Sequence, residues 1–371
     1  MQKLKIELSV NGPVMLVTLR NPFPYTLKLL KWNSILDAPY AHGFTVLKNG
    51  ISVPYIGPEY CRMFDASESL LSMPATSTIQ IEFNLEKVIN NFEFNEVASG
   101  DNITIAPASY ILQVLDDQAP LTETGDYSFT DVETEVDEMR IDSNLVLKLY
   151  KKRDGFDIET IDNDEMIDIP LCSKGHNSLF VQVGPIENRG IGYPVTSGFN
   201  TNEITAIRKL VKLVFDKKNT VLKSVTNTAT YKKWFGPFNT AGKTKVEAVL
   251  KEIHRGECPG YLVNRAAPGT YTSDTLAYII HNPSYNQGYQ RCTAAQHFCH
   301  QMYLCPRFWQ LPEKGVNSRV GVFIHELTHS YTYTKDIKYG RADCQTLAKN
   351  KPADALNNAD SYRFYCEDSI G

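Results

Sequence analysis

Several features are missing from the 371-residue chain, and each absence argues against a class of protein. The chain has no run of about 18 or more apolar residues, so we expect no membrane span. None of its eight cysteines stands in a Cys-x-x-Cys pair, which argues against a zinc site built from thiolates. Its clustered lysines accompany no nucleic-acid recognition motif, so we expect no nucleic-acid partner.

Histidine and methionine are scarce near the C-terminus, where the strongest motif lies. Residues 325–329 read HELTH, an HExxH sequence that places two histidines one helical turn apart, close enough to bind one metal ion. Glu326 lies about 100° away around the helix, where it can act on water without being a ligand. No histidine follows His329 and no methionine follows Met302, so neither an HExxHxxGxxH pattern nor a Met-turn is possible.

The third protein ligand of such a site must therefore be another kind of side chain. Asp336 is the nearest carboxylate after His329, and the short Tyr/Thr loop between them can turn back toward the helix. Glu367 also remains possible, although it lies near the C-terminus beside Asp368. We favour Asp336.

Composition and charge indicate a globular protein with two dissimilar halves. Hydrophobic residues make up 42% and charged residues 22% of the chain, and its length favours two domains. The start, MQKLKIELSVNG, alternates like a strand and has no signal-peptide core, so we expect either a leaderless chain or one whose leader has been removed. Residues 1–200 carry 28 acidic and 15 basic side chains, and the remainder carries 14 and 23. This asymmetry fits two modules of opposite charge, although two separately solvated surfaces would also produce it.

The hydrophobic pattern changes between the halves as well. Residues 1–183 contain short alternating segments such as IELSV and STIQIEF, which predict an all-β sandwich. The Gly- and Pro-rich residues 184–198 predict a linker. Residues 199–371 show helical spacing in NEITAIRKLVKLV, TKVEAVLKEI and NSRVGVFIHELTHSY, and strands in TLAYIIHN and QMYLCPRFW. We therefore predict an α+β protein of two domains, a β-sandwich followed by a mainly α-helical domain with a small β-sheet.

Motifs in the second half resemble those of the aspzincin metallopeptidases, the family of deuterolysins and peptidyl-Lys metalloendopeptidases. The HExxH sequence and the following Thr334-Lys335-Asp336-Ile337-Lys338-Tyr339-Gly340 are similar to the family signature. Further matches lie at Trp234-Phe235-Gly236, Cys292-Thr293-Ala294, Tyr303-Leu304-Cys305 and Asn357-Asn358-Ala359-Asp360. The first half resembles, more weakly, the propeptide that precedes the catalytic domain in this family.

The resemblance implies a zincin domain with endopeptidase activity, which hydrolyses peptide bonds through a zinc-activated water. It implies one Zn²⁺ held by His325, His329 and Asp336, with Glu326 as the general base and Tyr339 donating its phenol to the oxyanion. It also implies protein or peptide substrates. Because the two halves carry opposite charge, we further expect synthesis as a zymogen, with the acidic N-terminal β-domain as an intramolecular inhibitor of the basic catalytic domain.

The loop before the third ligand departs from the family pattern. The segment from His329 to Asp336 is shorter than in the peptidyl-Lys enzymes, and Tyr333 stands where those enzymes usually have glycine. Asp336 must therefore reach the metal by a tighter path.

The substrate pocket departs from the pattern too. The Lys-selective enzymes hold the lysine that follows the scissile bond with two acidic residues three positions apart. Here the first is Asp360, but the second position is Arg363, whose charge would repel lysine or neutralise Asp360. We therefore predict loss of strict Lys selectivity, unless Arg363 points outward.

Cysteine usage favours secretion. Six of the eight cysteines lie in the last 114 residues, a density typical of an oxidising, extracellular compartment. Phe199 and Gln290 stand where the family has one of its cysteine pairs. The resemblance implies that a second family bridge, Cys292–Cys305, is present in this chain. The remaining candidate bridges are Cys344–Cys366 and Cys258–Cys299.

Two other functions remain open from the sequence. The β-domain could be a permanent targeting or adhesion module of an active protease. The chain could also be a zinc-binding protein without activity, but the presence of both Glu326 and Tyr339 argues against this.

Overall fold

The computed structural model describes residues 3–37, 42–109, 111–115, 129–151, 195–253, 261–281 and 300–369. The chain divides into two compact units. The first comprises Met1–Pro58 and Phe64–Phe156, and the second comprises Glu59–Met63 and Asp157–Gly371. Both helices and sheets are present, which confirms the α+β class. Residues 184–194 of the predicted linker lie outside the described residues.

The strands are, in chain order, β1 (Leu4–Asn11), β2 (Val14–Arg20), β3 (Leu27–Leu30), β4 (Phe44–Lys48), β5 (Ile51–Ser52), β6 (Glu59–Arg62), β7 (Leu70–Met73), β8 (Thr78–Asn84), β9 (Ile103–Pro107), β10 (Ile111–Leu115), β11 (Phe129–Val136), β12 (Met139–Ile141), β13 (Val195–Ser197), β14 (Tyr261–Arg265), β15 (Thr275–His281) and β16 (His300–Leu304). The α-helices are α1 (Ala66–Ser69), α2 (Leu85–Ile89), α3 (Ser143–Leu149), α4 (Thr201–Leu222), α5 (Ala229–Phe235), α6 (Thr240–Glu252), α7 (Arg319–Thr332), α8 (Arg341–Asn350), α9 (Pro352–Ala355) and α10 (Ala359–Asp368). A 3-10 helix spans Pro306–Gln310.

The first unit is built on two β-sheets. One has seven strands in the order β7-β3-β10-β11-β1-β2-β8, and the other has four in the order β12-β9-β4-β5. In β1, the buried Leu4 and Ile6 alternate with exposed side chains, as the period of a half-buried strand requires. Val17 from the larger sheet and Val46 from the smaller one belong to the same hydrophobic cluster. The two sheets therefore share one core.

Helix α4 shows how the sequence sets a helix start in the second unit. Asn200 is its N-cap. The Asn200 side chain accepts from the backbone N–H of Glu203 at 3.0 Å, and the Glu203 carboxylate accepts from the Asn200 N–H at 2.9 Å. This reciprocal capping satisfies two backbone donors that a helix start would otherwise leave without partners.

A five-stranded sheet supports the second unit, in the order β13-β14-β16-β15-β6. Of the strands in this half, only β15 and β16 were predicted from the sequence. Strand β14 was missed, and so was β13, which takes the last residues of the expected linker. Strand β6 comes from the N-terminal half of the sequence and pairs antiparallel with β15 at the edge of this sheet. All four of its residues are buried.

Helix α7 carries the HExxH motif. It begins after Ser318, whose side chain accepts from the backbone N–H of Gly321 at 3.1 Å. Val322, Phe323 and Ile324 pack into the core of the second unit, and α10 and β15 pack against the helix. Among the helices in the described ranges, none combines the length and apolar character needed to cross a bilayer.

Candidate metal centre

Three side chains bring ligand atoms together at α7. The Nε2 atoms of His325 and His329 lie 3.1 Å apart, and Oδ1 of Asp336 lies 3.1 Å from the first and 3.3 Å from the second. Ligands held ~2.0–2.1 Å from a tetrahedral zinc ion lie about 3.3 Å from one another. The three atoms therefore form a triangle of the size that zinc requires.

Hydrogen bonds to the opposite ring nitrogens orient both imidazoles. Nδ1 of His325 donates to Oδ1 of Asp360 at 2.8 Å, and Nδ1 of His329 donates to the carbonyl of Thr334 at 2.7 Å. Because both partners are acceptors, each Nδ1 carries the proton and each Nε2 presents its lone pair to the triangle. Partners of this kind fix ring orientation and raise the basicity of metal-binding histidines.

The loop that carries Asp336 is held by the segment before α10. Lys335 forms an isolated parallel β-bridge with Asn358. The side-chain oxygen of Asn358 then accepts from the backbone N–H groups of Ile337 and Lys338 at 3.0 and 2.9 Å. These bonds flank Asp336 on both sides and fix its position in a loop without regular structure.

Glu367 is the other carboxylate that the sequence left open as a ligand. It lies on α10 and contacts the first residues of α7. Its carboxylate accepts from the backbone N–H of Ser318 at 3.0 Å and lies 3.3 Å from Nη2 of Arg341. It is therefore engaged away from the triangle of ligand atoms.

Glu326 lies next to the triangle and is fully buried. Within the described residues, neither of its carboxylate oxygens has a hydrogen-bond partner. Burial raises its pKa to about 8, against the opposing charges of His325 and His329. A buried carboxylate without a partner costs stability, so this group calls for a water molecule or ion beside it.

The electrostatics of the triangle also suit a cation. Burial by itself would raise the pKa of Asp336, but the charges of His329 and His325 outweigh it and hold that pKa below its usual range. Burial likewise opposes protonation of His329, yet the Asp336 carboxylate raises the pKa of this imidazole above its usual value. A metal ion would take the place of the proton that this raised pKa favours on His329, so we expect metal binding to release protons.

Tyr339, the expected oxyanion donor, lies beside the first histidine. Its ring is nearly parallel to that of His325, with 6.4 Å between ring centroids. Its phenol donates to the backbone carbonyl of Tyr60 at 2.7 Å. The hydroxyl thus already faces a peptide carbonyl, the kind of group that an oxyanion donor serves.

Comparison with known proteins gives the family. The profile of the aspzincins, described as lysine-specific metallo-endopeptidases, matches residues 220–367. A peptidyl-Lys metalloendopeptidase from Pleurotus ostreatus is 33% identical over 146 residues, which cover 39% of this chain and 76% of that protein. The chain belongs to the aspzincin metallo-endopeptidases. Family membership implies a zinc ion, and the triangle of two imidazoles and a carboxylate fits it.

Two other curated relatives overlap over shorter fractions of their length. A peptidyl-Lys metalloendopeptidase from Armillaria mellea is 26% identical over 183 residues, 47% of this chain and 45% of that protein. An extracellular protease from Aeromonas hydrophila is 40% identical over 72 residues, 19% of this chain and 21% of that protein. A solved zinc peptidase from Grifola frondosa aligns with a TM-score of 0.37 and 23% identity, covering 46% of this chain and 96% of that one.

Asp360 and Arg363, the predicted substrate-binding pair, are almost wholly buried on α10. Asp360 bonds to His325 and also accepts from the backbone N–H of Gly340 at 3.0 Å. Nη1 of Arg363 lies 3.4 Å from Oδ1 of Asp360, so this arginine does not point outward. The contact with His325 was missed from the sequence, although zinc-binding histidines commonly have a carboxylate partner.

The predicted bridge between Cys344 and Cys366 is absent. Sγ of Cys344 accepts from the side-chain amide of Asn358 at 3.3 Å, while Cys366 packs into the hydrophobic core. Cys344 belongs to the same hydrophobic cluster, but its sulfur contacts Asn358 instead of Cys366, and Cys305 is unpaired as well. The predicted partners that lie outside the described residues are Cys258, Cys292 and Cys299.

The contact of Asp360 with His325 gives a first test. We expect Asp360→Asn to weaken zinc affinity by roughly 10–100-fold, because an amide is a poorer acceptor for Nδ1 than a carboxylate. Competition with a chromophoric chelator measures the change. Asp137→Asn, on an exposed position of the first unit, is the control. Equal affinity in Asp360→Asn and the parent would contradict the orienting role.

Proposed function

We propose that this chain is a zinc-dependent endopeptidase whose catalytic domain holds one Zn²⁺ through His325, His329 and Asp336. The observation that carries the proposal is the triangle of three ligand atoms with edges of 3.1–3.3 Å. The buried carboxylate of Glu326 beside it supplies the base that peptide hydrolysis needs.

Zinc supplies Lewis acidity and lowers the pKa of water toward ~7. Glu326 takes a proton from the attacking water as the new C–O bond forms, and then delivers that proton to the leaving nitrogen as the C–N bond breaks. Tyr339 donates its phenol to the carbonyl oxygen while negative charge develops there. Asp360 and Thr334 keep the two imidazoles oriented throughout.

Glu326→Gln separates catalysis from metal binding. We expect the variant to bind zinc in the same amount as the parent, because Glu326 is not a ligand. We expect peptide turnover to fall by ~10²–10⁴-fold, because the amide cannot take a proton from water. Zinc content by elemental analysis and cleavage of casein measure the two properties. Retained turnover would contradict the assignment, and loss of zinc would give Glu326 a ligand role instead.

The natural substrates are proteins or peptides, and we propose that strict selectivity for lysine is lost. The Pleurotus and Armillaria relatives are named peptidyl-Lys enzymes. In this chain the charge of Asp360 is already paired with Arg363, which lies within 3.4 Å of it. A lysine ammonium would meet a neutralised carboxylate and a nearby cation.

Digestion of a peptide library tests the selectivity. We expect cleavage before several residue types, and not only before lysine. Mass spectrometry of the products identifies each cleaved bond. Cleavage confined to X–Lys bonds would show that Arg363 does not cancel the pocket acid.

We propose further that the protein is secreted and made as a zymogen, with the N-terminal β-sandwich as its inhibitor. An Aeromonas relative is named an extracellular protease, which supports secretion. The engagement of Tyr339 by the carbonyl of Tyr60 supports latency, because a substrate carbonyl would need the same phenol. A permanent adhesion module would leave the uncut chain active.

Linker cleavage distinguishes the two roles of the β-domain. We expect the zinc-loaded chain to gain at least ~10-fold in casein turnover after limited proteolysis within residues 184–198, because the covered catalytic groups become accessible. Intact mass confirms where the cut occurs. Equal turnover before and after the cut would favour the permanent module.

A further inference from the structure

Strand β6 crosses the candidate catalytic groups. It pairs antiparallel with β15, with Tyr60 opposite Tyr278 and Cys61 opposite Ala277. The backbone N–H of Met63 extends the pairing by donating to the carbonyl of Asp274 at 2.9 Å. An extended segment added to a sheet edge is also how many proteins bind peptides.

The backbone of β6 meets the expected oxyanion donor. The carbonyl of Tyr60 accepts from the phenol of Tyr339 at 2.7 Å, although 279 positions separate the two residues in sequence. The peptide bond that this carbonyl belongs to joins Tyr60 to Cys61. That bond therefore stands where Tyr339 would hold the carbonyl of a bond to be cleaved.

The next side chain enters the site itself. Cys61 is fully buried, and its Sγ lies within 4.8 Å of a ligand atom of His325 and of a carboxylate oxygen of Glu326. Nη1 of Arg363 lies 3.6 Å from the same sulfur and 3.4 Å from Asp360. Cys61 thus lies between Glu326, the expected general base, and the Asp360–Arg363 pair, which is predicted to contact substrate.

We propose that Glu59–Met63 occupies the catalytic cleft as a substrate-like strand. In this arrangement the Tyr60–Cys61 bond takes the place of the bond to be cut, and Cys61 fills the pocket for the residue that follows it. The inference rests on the proposed function, which supplies the roles of Tyr339 and Glu326. It adds the segment that causes latency, its register, and the pocket beside Arg363.

Chain connectivity explains how such a strand would leave. Pro58 and Phe64, on either side of the segment, belong to the first unit, whereas the segment itself belongs to the second. Departure of the first unit after linker cleavage must therefore withdraw β6 from the sheet. Strand β15 then becomes an edge with free backbone groups, on which a substrate strand can pair in the register that β6 leaves.

Cys61→Trp in the full, uncut chain tests the pocket. An indole cannot fit where a fully buried thiol lies, so we expect the strand to be expelled. Turnover of a quenched peptide should then rise at least ~10-fold toward that of the linker-cut parent, a rate gain that misfolding cannot produce. Cys61→Ser keeps the size of the side chain and should stay latent. Met63→Trp, at a half-buried position of the same segment, should also stay latent.

Hydrogen exchange gives a readout that does not depend on turnover. Peptides covering β15 should lose protection in the linker-cut parent and in Cys61→Trp, while peptides covering α4 keep theirs. The parent measurement needs no variant, so it decides the matter even if Cys61→Trp fails to fold.

The outcomes separate this inference from the proposed function. An inactive linker-cut parent would overturn the proposed endopeptidase. An active linker-cut parent whose β15 stays protected would overturn the strand inference alone, as would a folded Cys61→Trp that remains latent. Equal activation by Met63→Trp would overturn the assignment of the Cys61 pocket.

Discussion

The hydrogen bond from His325 to Asp360 fixes the geometry of the candidate metal centre. It links α7 to α10, and the second oxygen of the same carboxylate accepts from Gly340 at the start of α8. One side chain thereby fixes three segments that meet at the site. Since Asp360 and His325 are both buried, water cannot replace the bond, and its geometry governs where the Nε2 lone pair points.

Burying that carboxylate requires a compensating charge, and Arg363 provides it. This arginine lies one turn along α10 from Asp360, and its Nε is 3.7 Å from Glu367. Glu367 in turn caps the start of α7 through Ser318. A single chain of charges therefore runs from His325 to the beginning of the helix that carries it. Arg363, at the position where the family pattern has an acid, is therefore part of this structural chain.

The end of α7 shows how a short loop brings Asp336 to the two histidines. Tyr333 adopts a left-handed conformation with φ of 53°, and its N–H donates to the carbonyl of His329 at 3.1 Å. Such a conformation costs roughly 1–2 kcal/mol for a residue other than glycine. The turn ends the helix sharply, and the bridge between Lys335 and Asn358 then aligns the chain so that Asp336 faces the histidines. The hydrogen bonds around the loop offset the strain at Tyr333.

The helix that carries His325 and His329 could be predicted from the sequence, but most contacts around it could not. The spacing of His325 and His329 is a local property of a helix, so it could be read directly, and the approach of Asp336 followed from elimination together with family resemblance. Disulfide pairing depends on the direction of each thiol in three dimensions, which spacing does not encode, and the bridge between Cys344 and Cys366 was wrong for that reason. The role of Asp360 toward His325 is equally non-local.

The pairing of β6 with β15 could not be predicted from the sequence pattern. Alternating residues identify a strand, but they do not say which sheet it joins, because backbone hydrogen bonds are the same along every edge. For a protease, that lack of sequence dependence is also useful. An edge such as β15 can bind the backbone of many peptides, and side-chain pockets then choose among them. The same property lets the protein cover this edge with its own chain, so the surface that would bind substrates is also the surface that the fold must protect.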